Sequence, residues 1–511
     1  MKLILSFLLL SAFGGMAFAK EPVNIGGRRE LFLDNVMVER MVGGAQRVFH
    51  RPVPQEVVIK FDKSWEGNAC AFVTVFKDGD RYRMYYQALN LPGNAGGEKR
   101  GSHVFDCYAE SPDGIHWTRP SLGQVEFQGS KDNNIVVRPA PPTGWSAEAI
   151  IPFRDDNPAV SPDALYKAVS PIFGPGNNPD DWSDREKALG ILKSSDGLHW
   201  TVMQEKGVFH GEGFFDSQNV GFWDSHSKAY RAYFRDVQKP AFFRDIKTGT
   251  SPDFVTWTQG TFLRHLKKPT AQFYTNGIRN YHRAPHIYIG LPMMYEDRPW
   301  SPAMEQLPDT EKRRHNVAVW GRSGPLSEVQ LMWSRDGGTF ELAPSTFMPP
   351  GPERPGTYTY YDAVAWHLVE TASNLEGAAP ELTLYRTEFY EIGVNQLRRY
   401  TLRLDGFASI RAPIDGGELI TPTLIFAGSQ LSMNFASSAF GSLRVEIQDA
   451  DGKPIPGFTL ADSIELYGDT VARNALWKDN PDLGLHAGKP VRLRFVLRDA
   501  DLYAMLFGGG K

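Results

Sequence analysis

The segment Ser111-Pro112-Asp113-Gly114-Ile115-His116-Trp117 recurs along the chain. Further copies occupy residues 194–200 and 251–257, and a degenerate copy ending in phenylalanine occupies residues 334–340. The copies begin 83, 57 and 83 residues apart, so each marks one supersecondary block with loops of variable length. An Asp-Gly pair favours a tight turn between antiparallel strands, and the closing aromatic residue can pack between neighbouring blocks. We therefore interpret the aspartates of these segments as structural.

Strand patterns precede each copy. A signature of alternating aromatic and polar residues, such as Tyr82-Arg83-Met84-Tyr85, follows an apolar stretch that we interpret as an inner strand. The predicted inner strands cover residues 69–76, 147–153, 215–223 and 273–281. A fifth unit can be built from residues 360–368, 381–388 and 397–404. These units predict a five-bladed β-propeller over residues 20–404, closed by pairing of residues 30–39 with the last blade.

The pattern changes after Asp405-Gly406. Short alternating strands follow, such as Leu443 to Ile447 and Val491 to Leu497. Alternation of this kind is typical of antiparallel sheets with one buried face, so residues 405–511 are predicted to form a β-sandwich. The whole chain is thus predicted to be all-β, a five-bladed propeller followed by a C-terminal antiparallel β-sandwich.

The first residues indicate export. Lys2 precedes an apolar run from Leu3 to Leu10, and small residues end at Ala17-Phe18-Ala19, which predicts a signal peptide over residues 1–19 and a periplasmic or extracellular protein. The apolar run is shorter than the roughly 20 residues of a membrane-spanning helix, so no membrane insertion is expected. The net charge of −4 does not favour binding to nucleic acid. The oligomeric state is left open.

Only two cysteines occur, Cys70 and Cys107. We place them on the first and third strands of one blade, about 9.5 Å apart, which exceeds the reach of a disulfide. Two free, buried thiols are therefore expected. No sequence motif predicts a metal site or a cofactor, although the Asp and Asn content of the hub leaves a structural calcium ion open.

This organisation resembles the five-bladed propeller glycoside hydrolases, above all family 32, in which a β-sandwich follows the propeller, and also family 43. The R-D-P motif of family 32 is similar to Arg154-Asp155-Asp156-Asn157-Pro158, with two residues intervening before the proline. The first-blade motif W-x-N-D-P-N-G is absent, and its nearest counterpart is Trp65-Glu66-Gly67-Asn68. The E-C motif has no match. The resemblance implies a carbohydrate substrate, hydrolysis of a glycosidic bond and three hub carboxylates on separate blades.

Glycoside hydrolysis needs one protonated and one ionised carboxyl group on either side of the scissile bond. Because inner-strand ends converge on the central pocket of a propeller, carboxylates that flank inner strands are the catalytic candidates. They are Glu66, Asp155 and Asp216. The resemblance to R-D-P implies that Asp155 orients the substrate, while Glu66 and Asp216 share the roles of proton donor and nucleophile or base in an open order. Each could instead cap a turn or pair with an arginine.

Polar and aromatic residues near the predicted hub are candidates for substrate binding. They are Asp34, Trp65, Asp156, Gln218, Asn219, Asn276, Arg283 and His286. Three other functions stay open. Tyr281, His282 and Arg283 would suit a polysaccharide lyase, the Asp-Gly turns are similar to those of sialidases, and a propeller can also bind glycans without catalysis.

Overall fold

The computed structural model describes residues 21–90, 103–175, 185–297, 300–306, 310–311, 314, 325–349, 363–390 and 395–509. The predicted signal peptide and residues 360–362 of the fifth unit lie outside these ranges. The chain forms two compact units, one spanning Arg47–Ser409 and the other combining the residues up to Gln46 with those from Ile410 onwards. Residues 21–46, which we predicted within the propeller, therefore belong to the second unit.

The unit Arg47–Ser409 contains five successive groups of strands, which we number as blades 1 to 5. Blade 1 contains strands Ala69–Asp78, Arg81–Asn90, His103–Ser111 and Ile135–Val136. Blade 2 contains Ser146–Ala147, Ile151–Arg154, Tyr166–Phe173, Lys187–Ser194 and Thr201–Val202. Blade 3 contains Val220–Asp224, Ala229–Gln238, Phe243–Ser251 and Thr261–Phe262. The strands of these three blades pair antiparallel, and in blade 2 both Ser146–Ala147 and Ile151–Arg154 pair with Tyr166–Phe173.

Blades 4 and 5 depart from this simple pattern. Blade 4 consists of two sheets, one of Arg264–His265, Arg279–Tyr281, Ala284–Gly290, Met332–Ser334 and Thr339–Leu342, the other of Gln272–Phe273, Met293–Asp297 and Pro325–Val329. Blade 5 contains Val369–Thr371, Glu381–Glu388, Gln396–Arg403 and, from the start of the unit, Val53–Lys60. Short 3₁₀ helices span Pro162–Ala164 and Pro302–Gln306.

The recurring turn is held by its own side chains. In the first copy the hydroxyl of Ser111 accepts the backbone N–H of Gly114 at 2.8 Å. The carboxylate of Asp113 accepts the N–H groups of Ile115 and His116, both at 2.8 Å. Partial burial raises the pKa of Asp113, but these hydrogen bonds, with those from the His116 and Ser111 side chains, lower it well below its ordinary value. The turn aspartate is therefore an ionised structural group.

The glycine of the turn connects neighbouring blades. Gly114 has a φ of 77°, and its carbonyl accepts the hydroxyl of Tyr385 of blade 5 at 2.6 Å. Tyr85 of blade 1 donates in the same way to Gly197 of blade 2 at 2.9 Å, and Tyr233 of blade 3 to Gly337 of blade 4 at 2.8 Å. A β-carbon at Gly114 would meet Tyr385 and Thr371 at about 3 Å, so the close approach favours glycine, whose backbone also adopts this angle most readily; Phe254 takes a φ of 70° at the equivalent position of the third copy.

The remaining contacts between blades close the ring. The rings of Phe153 and Phe254 pack 5.5 Å apart between blades 2 and 3. The indole N–H of Trp366 in blade 5 donates to the carbonyl of Ile278 in blade 4 at 3.1 Å. Each blade thus contacts the next, and blade 5 contacts blade 1. The prediction of an all-β, five-bladed propeller is confirmed.

The strand that closes the propeller differs from our prediction. Val53–Lys60 pairs antiparallel with Gln396–Arg403 at the outer edge of blade 5. The segment of residues 30–39 was wrongly predicted to do so. Its strand Arg29–Leu31 pairs instead with residues Leu506 to Ala504, because Phe32, Met37 and Val38 are buried in the core of the second unit.

The second unit is built around two long antiparallel strands, Gln430–Asp449 and Val491–Gly508, with an irregular register between Ser437 and Ser442. The predicted strands at residues 443–447 and 491–497 lie within them. The other strands are Val23–Gly26, Arg29–Leu31, Arg40–Gly43, Gly417–Ile420, Leu424–Phe426 and Asp469–Asn474, and a 3₁₀ helix spans Leu483–His486. Strands Gln46–Phe49 and Ala408–Ala412 cross the boundaries between the units.

Two smaller predictions can also be compared with the structure. Cys70 and Cys107 are free and buried, as expected, and burial raises the pKa of both thiols well above the ordinary value. Within the described ranges, no helix is both long and apolar enough to cross a membrane.

Candidate active site

Two carboxyl groups approach each other at one end of the hub, on blades 2 and 3. Glu148 lies just before the inner strand Ile151–Arg154, and Asp216 lies just before the inner strand Val220–Asp224. The two are close enough for the negative charge of Asp216 to raise the pKa of Glu148. Because residues that precede inner strands share one end of a propeller, the fold itself brings this pair together.

Glu148 is the carboxyl group that stays protonated. Burial and then the charge of Asp216 raise its pKa, while Arg138 and Arg235 lower it, and the balance is a pKa of about 8 against an ordinary 4.5. Its backbone is held in place, since its N–H donates to the Pro171 carbonyl at 2.9 Å. Its carboxyl group makes no hydrogen bond or ion pair with any described residue. At neutral pH it is a free proton donor.

Asp216 is the more accessible partner, with about half of its side chain exposed (51%). Its carboxylate lies 3.4 Å from a terminal nitrogen of Arg235. The backbone that carries it is fixed, because Ser217 donates to the Tyr274 carbonyl and Asn219 donates to the Phe215 carbonyl at 2.7 Å. Asp216 therefore presents an ionisable group to solvent from a rigid segment.

Arg235 supplies hydrogen-bond donors beside this pair. Its side chain is only 2% exposed, its Nε donates to the Phe214 carbonyl at 2.9 Å, and its guanidinium lies 4.8 Å from the centre of the Tyr274 ring. Neither Nη1 nor Nη2 has a hydrogen-bond acceptor among the described residues. Buried donors without an acceptor are costly, so this guanidinium is suited to a ligand that brings oxygen atoms.

Arg138 fixes the segment that carries Glu148. Its Nε donates to the Asp106 carboxylate at 2.7 Å and its Nη1 to the Ala147 carbonyl at 2.6 Å. Asp106 in turn accepts the N–H of Ile150 at 3.1 Å. These bonds hold the backbone on both sides of Glu148. Arg138 is thus a positioning residue whose charge also limits the rise of the Glu148 pKa.

Glu66, the first predicted catalytic residue, also precedes an inner strand, Ala69–Asp78 of blade 1, but its carboxylate is enclosed by other side chains. It is fully buried, and its carboxylate accepts hydrogen bonds from Tyr86 at 2.5 Å and from Arg119 at 2.7 and 3.1 Å, and from the N–H of Lys63 at 2.9 Å. This pairing with arginine is the structural alternative that the sequence left open. The structure does not bring Glu66 together with Asp216.

Asp155, predicted to orient the substrate, lies at the other end of its inner strand. It follows Ile151–Arg154, whereas Glu148 precedes that strand. Asp155 is buried, forms an ion pair with Lys167 and accepts the hydroxyl of Tyr230 at 2.7 Å. It therefore connects blades 2 and 3 on the side away from Asp216. Of the three predicted carboxylates, only Asp216 lies beside the protonated group.

Three of the predicted substrate-binding residues are buried in the framework of the site. The amide of Gln218 donates to the Val73 carbonyl at 2.9 Å, and that of Asn276 donates to the Gln218 carbonyl at 3.1 Å. Asn219 bonds within its own turn, and its side-chain oxygen accepts the N–H of Arg235 at 3.0 Å. These amides position the Asp216 segment.

The other predicted binding residues are distributed over several places. Asp34 belongs to the second unit and accepts the N–H of Val36 at 3.0 Å. The indole of Trp65 donates to Asn134 at 2.7 Å. His286 is buried in blade 4. Asp156 follows Asp155 and is half exposed, 3.4 Å from Arg279.

The cluster suggested for a lyase is occupied by internal ion pairs. His282 lies 2.8 Å from Glu370, and Arg283 lies 2.8 Å from Asp405. The hydroxyl of Tyr281 donates to Asp405 at 2.9 Å. The hydrogen bond from His282 lowers the pKa of Glu370 to about 2. These groups therefore stabilise one another in blades 4 and 5.

Sequence reasoning missed Glu148, Arg138 and Arg235. Glu148 lies within the predicted inner strand at residues 147–153 and satisfied the rule that selected Asp216, but the R-D-P resemblance directed attention to the other end of that strand. Arg235 follows Tyr230-Arg231-Ala232-Tyr233-Phe234. A second arginine on a strand predicted to be buried was the feature that could have indicated a binding residue. In the described ranges no cluster of His, Cys, Asp and Glu could hold a metal ion, and the expected lack of a cofactor stays a prediction.

Comparison with known proteins gives only distant matches. No family model matches the chain, and no curated protein matches it. Among solved structures, a glycoside hydrolase covers 69% of this chain and 92% of its own at 10% identity and a TM-score of 0.44. A family 32 beta-fructofuranosidase of Bombyx mori covers 91% and 95% at 9% identity and a TM-score of 0.38. An endo-arabinase of Bacteroides thetaiotaomicron covers 68% and 98% at 10% identity and a TM-score of 0.38.

These similar structures are glycoside hydrolases, the class that the repeats resemble. At such identities and TM-scores they do not define a reaction or a substrate for this chain. Its activity must be inferred from its own side chains.

Proposed function

We propose that this protein hydrolyses glycosidic bonds, with Glu148 as the general acid and Asp216 as the nucleophile or general base. Hydrolysis requires a carboxyl group that is protonated near neutral pH and a second one that is ionised. Glu148 meets the first requirement through its pKa of about 8, which burial and Asp216 produce. Asp216 is accessible and lies 3.4 Å from the Arg235 guanidinium.

The proposal is carried by the pairing of two carboxyl groups before adjacent inner strands, Glu148 with its raised pKa and the accessible Asp216. A glycan-binding protein gains nothing from a carboxyl group held protonated, whereas an acid catalyst needs one. The free carboxyl group of Glu148 is also unusual for a partly buried acid, since such groups are normally paired. A raised pKa and an unpaired carboxyl group are both expected of an acid that donates its proton to the glycosidic oxygen of the leaving sugar.

Arg235 is assigned to substrate binding in this proposal. Its two terminal nitrogens lack acceptors among the described residues and lie next to Asp216. Sugar hydroxyl and carboxyl oxygens are suitable acceptors for such donors. We also infer from residues 1–19 that the enzyme is exported, and so acts on extracellular or periplasmic carbohydrate.

The test is incubation of the purified protein with neutral, uronic and sulfated glycans. Reducing ends and ultraviolet absorbance are recorded together for the wild type, Glu148→Gln and Asp216→Asn. New reducing ends without absorbance, lost in both variants, are expected. Absorbance would indicate a lyase, because elimination creates a double bond. Binding without any product would indicate a lectin, and either result would overturn the proposal.

A further inference from the structure

A cavity of about 670 Å³ lies between blades 2 and 3. Its walls come from the start of strand Lys187–Ser194, from the loop after Thr201–Val202, and from the end of strand Ala229–Gln238. Four basic side chains line it, namely Arg185, Lys187, Lys206 and Lys239, with three acidic ones, namely Glu186, Glu212 and Asp236. Its size is that of a site for a sugar residue or a small oligosaccharide.

The charge of this cavity is positive although the chain as a whole carries −4. Lys247, a fifth cation, lies 2.8 Å from Asp236 and 3.3 Å from Glu212. Desolvation lowers the pKa of Lys247, but the hydrogen bonds and charges of these two acids raise it overall. Two of the three acidic groups thus share one cation that is not part of the cavity lining.

The lining cations that remain have few partners. Lys206 and Lys239 are exposed and make no hydrogen bond or ion pair with any described residue. Counting Lys247, five basic and three acidic groups of the described residues lie in and beside this cavity, which leaves an excess of two positive charges. A concave surface of one sign concentrates its field and attracts ligands of the opposite sign.

The cavity is separated from the proposed catalytic pair by one aromatic ring. The ring of Phe214 forms part of the cavity wall. The Nζ of Lys187 lies 5.5 Å from the centre of that ring and the guanidinium of Arg235 lies 5.4 Å from it. Arg235 in turn lies 3.4 Å from Asp216. A glycan bound at Asp216 would therefore place its neighbouring sugar or a substituent next to the cavity.

Arg235 gives independent support for an anionic ligand. It is 2% exposed, and its Nη1 and Nη2 have no acceptor in the described part of the chain. A guanidinium presents two parallel N–H groups that match the oxygens of a carboxylate or a sulfate. Its charge is paired with Asp216 at 3.4 Å, but neither terminal nitrogen makes a hydrogen bond among the described residues, so both can still donate to such oxygens.

We propose that this cavity and Arg235 form a subsite for an acidic sugar, one that carries a sulfate ester or a carboxylate, next to the bond that is cleaved. The inference rests on the proposed hydrolase function and specifies its substrate class. Both sources of negative charge have the same recognition chemistry, namely two or more oxygens on one planar or tetrahedral group.

The test measures binding and turnover separately. Calorimetric titrations use Glu148→Gln protein, which keeps the cavity, and paired oligosaccharides, one pair sulfated and desulfated, the other with uronic acids and with these carboxyl groups reduced. The charged member of at least one pair is expected to bind about tenfold more tightly, with affinity falling as salt rises. The pair that shows the difference identifies sulfate or carboxylate.

The Lys206→Gln/Lys239→Gln double variant is expected to lose about tenfold in affinity for the charged oligosaccharide and nothing for the neutral one. Lys267→Gln/Lys268→Gln is the matched control, since it removes the same charge from exposed lysines of the same unit that do not line this cavity. Equal affinity for charged and neutral members, or equal losses in both double variants, would overturn the subsite.

Failure of the subsite differs from failure of the proposed function. If neutral glycans are hydrolysed and the Lys206→Gln/Lys239→Gln variant keeps the wild-type kcat/KM on every substrate, the enzyme stands and the subsite is wrong. If charged oligosaccharides bind through these lysines but no glycan is cleaved, the anionic site stands and the hydrolase assignment is wrong.

Discussion

Replacing Glu148 by glutamine removes the proposed proton donor while keeping the shape of the side chain. The carboxyl group forms no hydrogen bond or ion pair with described residues, so the change breaks no internal contact. The fold should be retained, and the melting temperature near pH 5 should stay close to that of the wild type. Any large loss of activity then reports the chemistry of this group.

The expected size of the effect follows from the pKa. A value of about 8 against an ordinary 4.5 favours the protonated form by roughly 5 kcal/mol, at about 1.4 kcal/mol for each pKa unit. At pH 7 roughly nine-tenths of the Glu148 carboxyl groups carry a proton, and at pH 9 roughly one-tenth do. An acid must be protonated to act, so wild-type kcat/KM should fall about tenfold for each pH unit above pH 8.

The assay compares two kinds of substrate. On a natural glycan, whose leaving group needs a proton, Glu148→Gln should lower kcat/KM by about 10²- to 10⁴-fold and abolish the fall above pH 8. On a dinitrophenyl glycoside of the same sugar, whose leaving group departs without a proton, the loss should be less than about tenfold. Glu126→Gln, at an exposed position, is the matched control and should behave as the wild type.

Equal losses on both substrates would contradict the role of Glu148 as an acid. An unchanged fall of kcat/KM above pH 8 in the Glu148→Gln variant would also contradict it, because another group would then cause that fall.

Four further predictions concern Asp216 and Arg138 beside this acid, the pKa of Glu148 itself, and Glu66. Asp216→Asn should lower kcat by about 10²- to 10⁴-fold at a temperature where the variant is folded, although loss of the ion pair with buried Arg235 lowers its melting temperature; retained activity would remove it from the mechanism. Arg138→Gln should raise the pKa of Glu148, since the arginine lowers it, and should move the alkaline limb of kcat/KM to higher pH; movement to lower pH would contradict the assigned electrostatics. Unfolding by denaturant should show that the free energy of unfolding of the wild type, relative to that of Glu148→Gln, is greatest below about pH 4.5 and falls by a few kcal/mol as the pH rises through about 8. The reason is that Glu148 keeps its proton to higher pH in the folded state than in the unfolded state. Free energies of unfolding that change with pH in parallel for both proteins would contradict the raised pKa. Glu66→Gln should cost about 3 to 5 kcal/mol of stability by leaving Arg119 without its carboxylate, with kcat close to the wild-type value at a temperature where the variant is folded; a stable but inactive variant would restore Glu66 to the catalytic candidates.

The fold could be predicted because its determinants are local. The Ser-x-Asp-Gly turn is built from side chains that bond to backbone groups two and three residues away, and such contacts are visible in a short stretch of sequence. The closing strand could not be predicted in this way. Val53–Lys60 pairs with Gln396–Arg403 across more than 300 residues, and alternation alone did not distinguish it from residues 30–39.

The site was only partly predictable for a related reason. The rule that catalytic carboxylates flank inner strands selected Asp216, but it does not say at which end of a strand the pocket lies. Asp155 and Glu148 lie on either side of one strand, and only the structure assigns Glu148 to the end that carries Asp216. The burial of Glu66 could not be predicted either, because the residue that pairs with it, Arg119, is 53 residues away in sequence.

The most direct test of the catalytic pair is hydrolysis in water enriched in ¹⁸O, with the products of the best substrate weighed by mass spectrometry. We expect one ¹⁸O atom at each new reducing end for the wild type, and no product above background for Glu148→Gln or Asp216→Asn. Products lacking ¹⁸O and lighter by one water would contradict hydrolysis, and full incorporation by either variant would contradict the assignment of this pair.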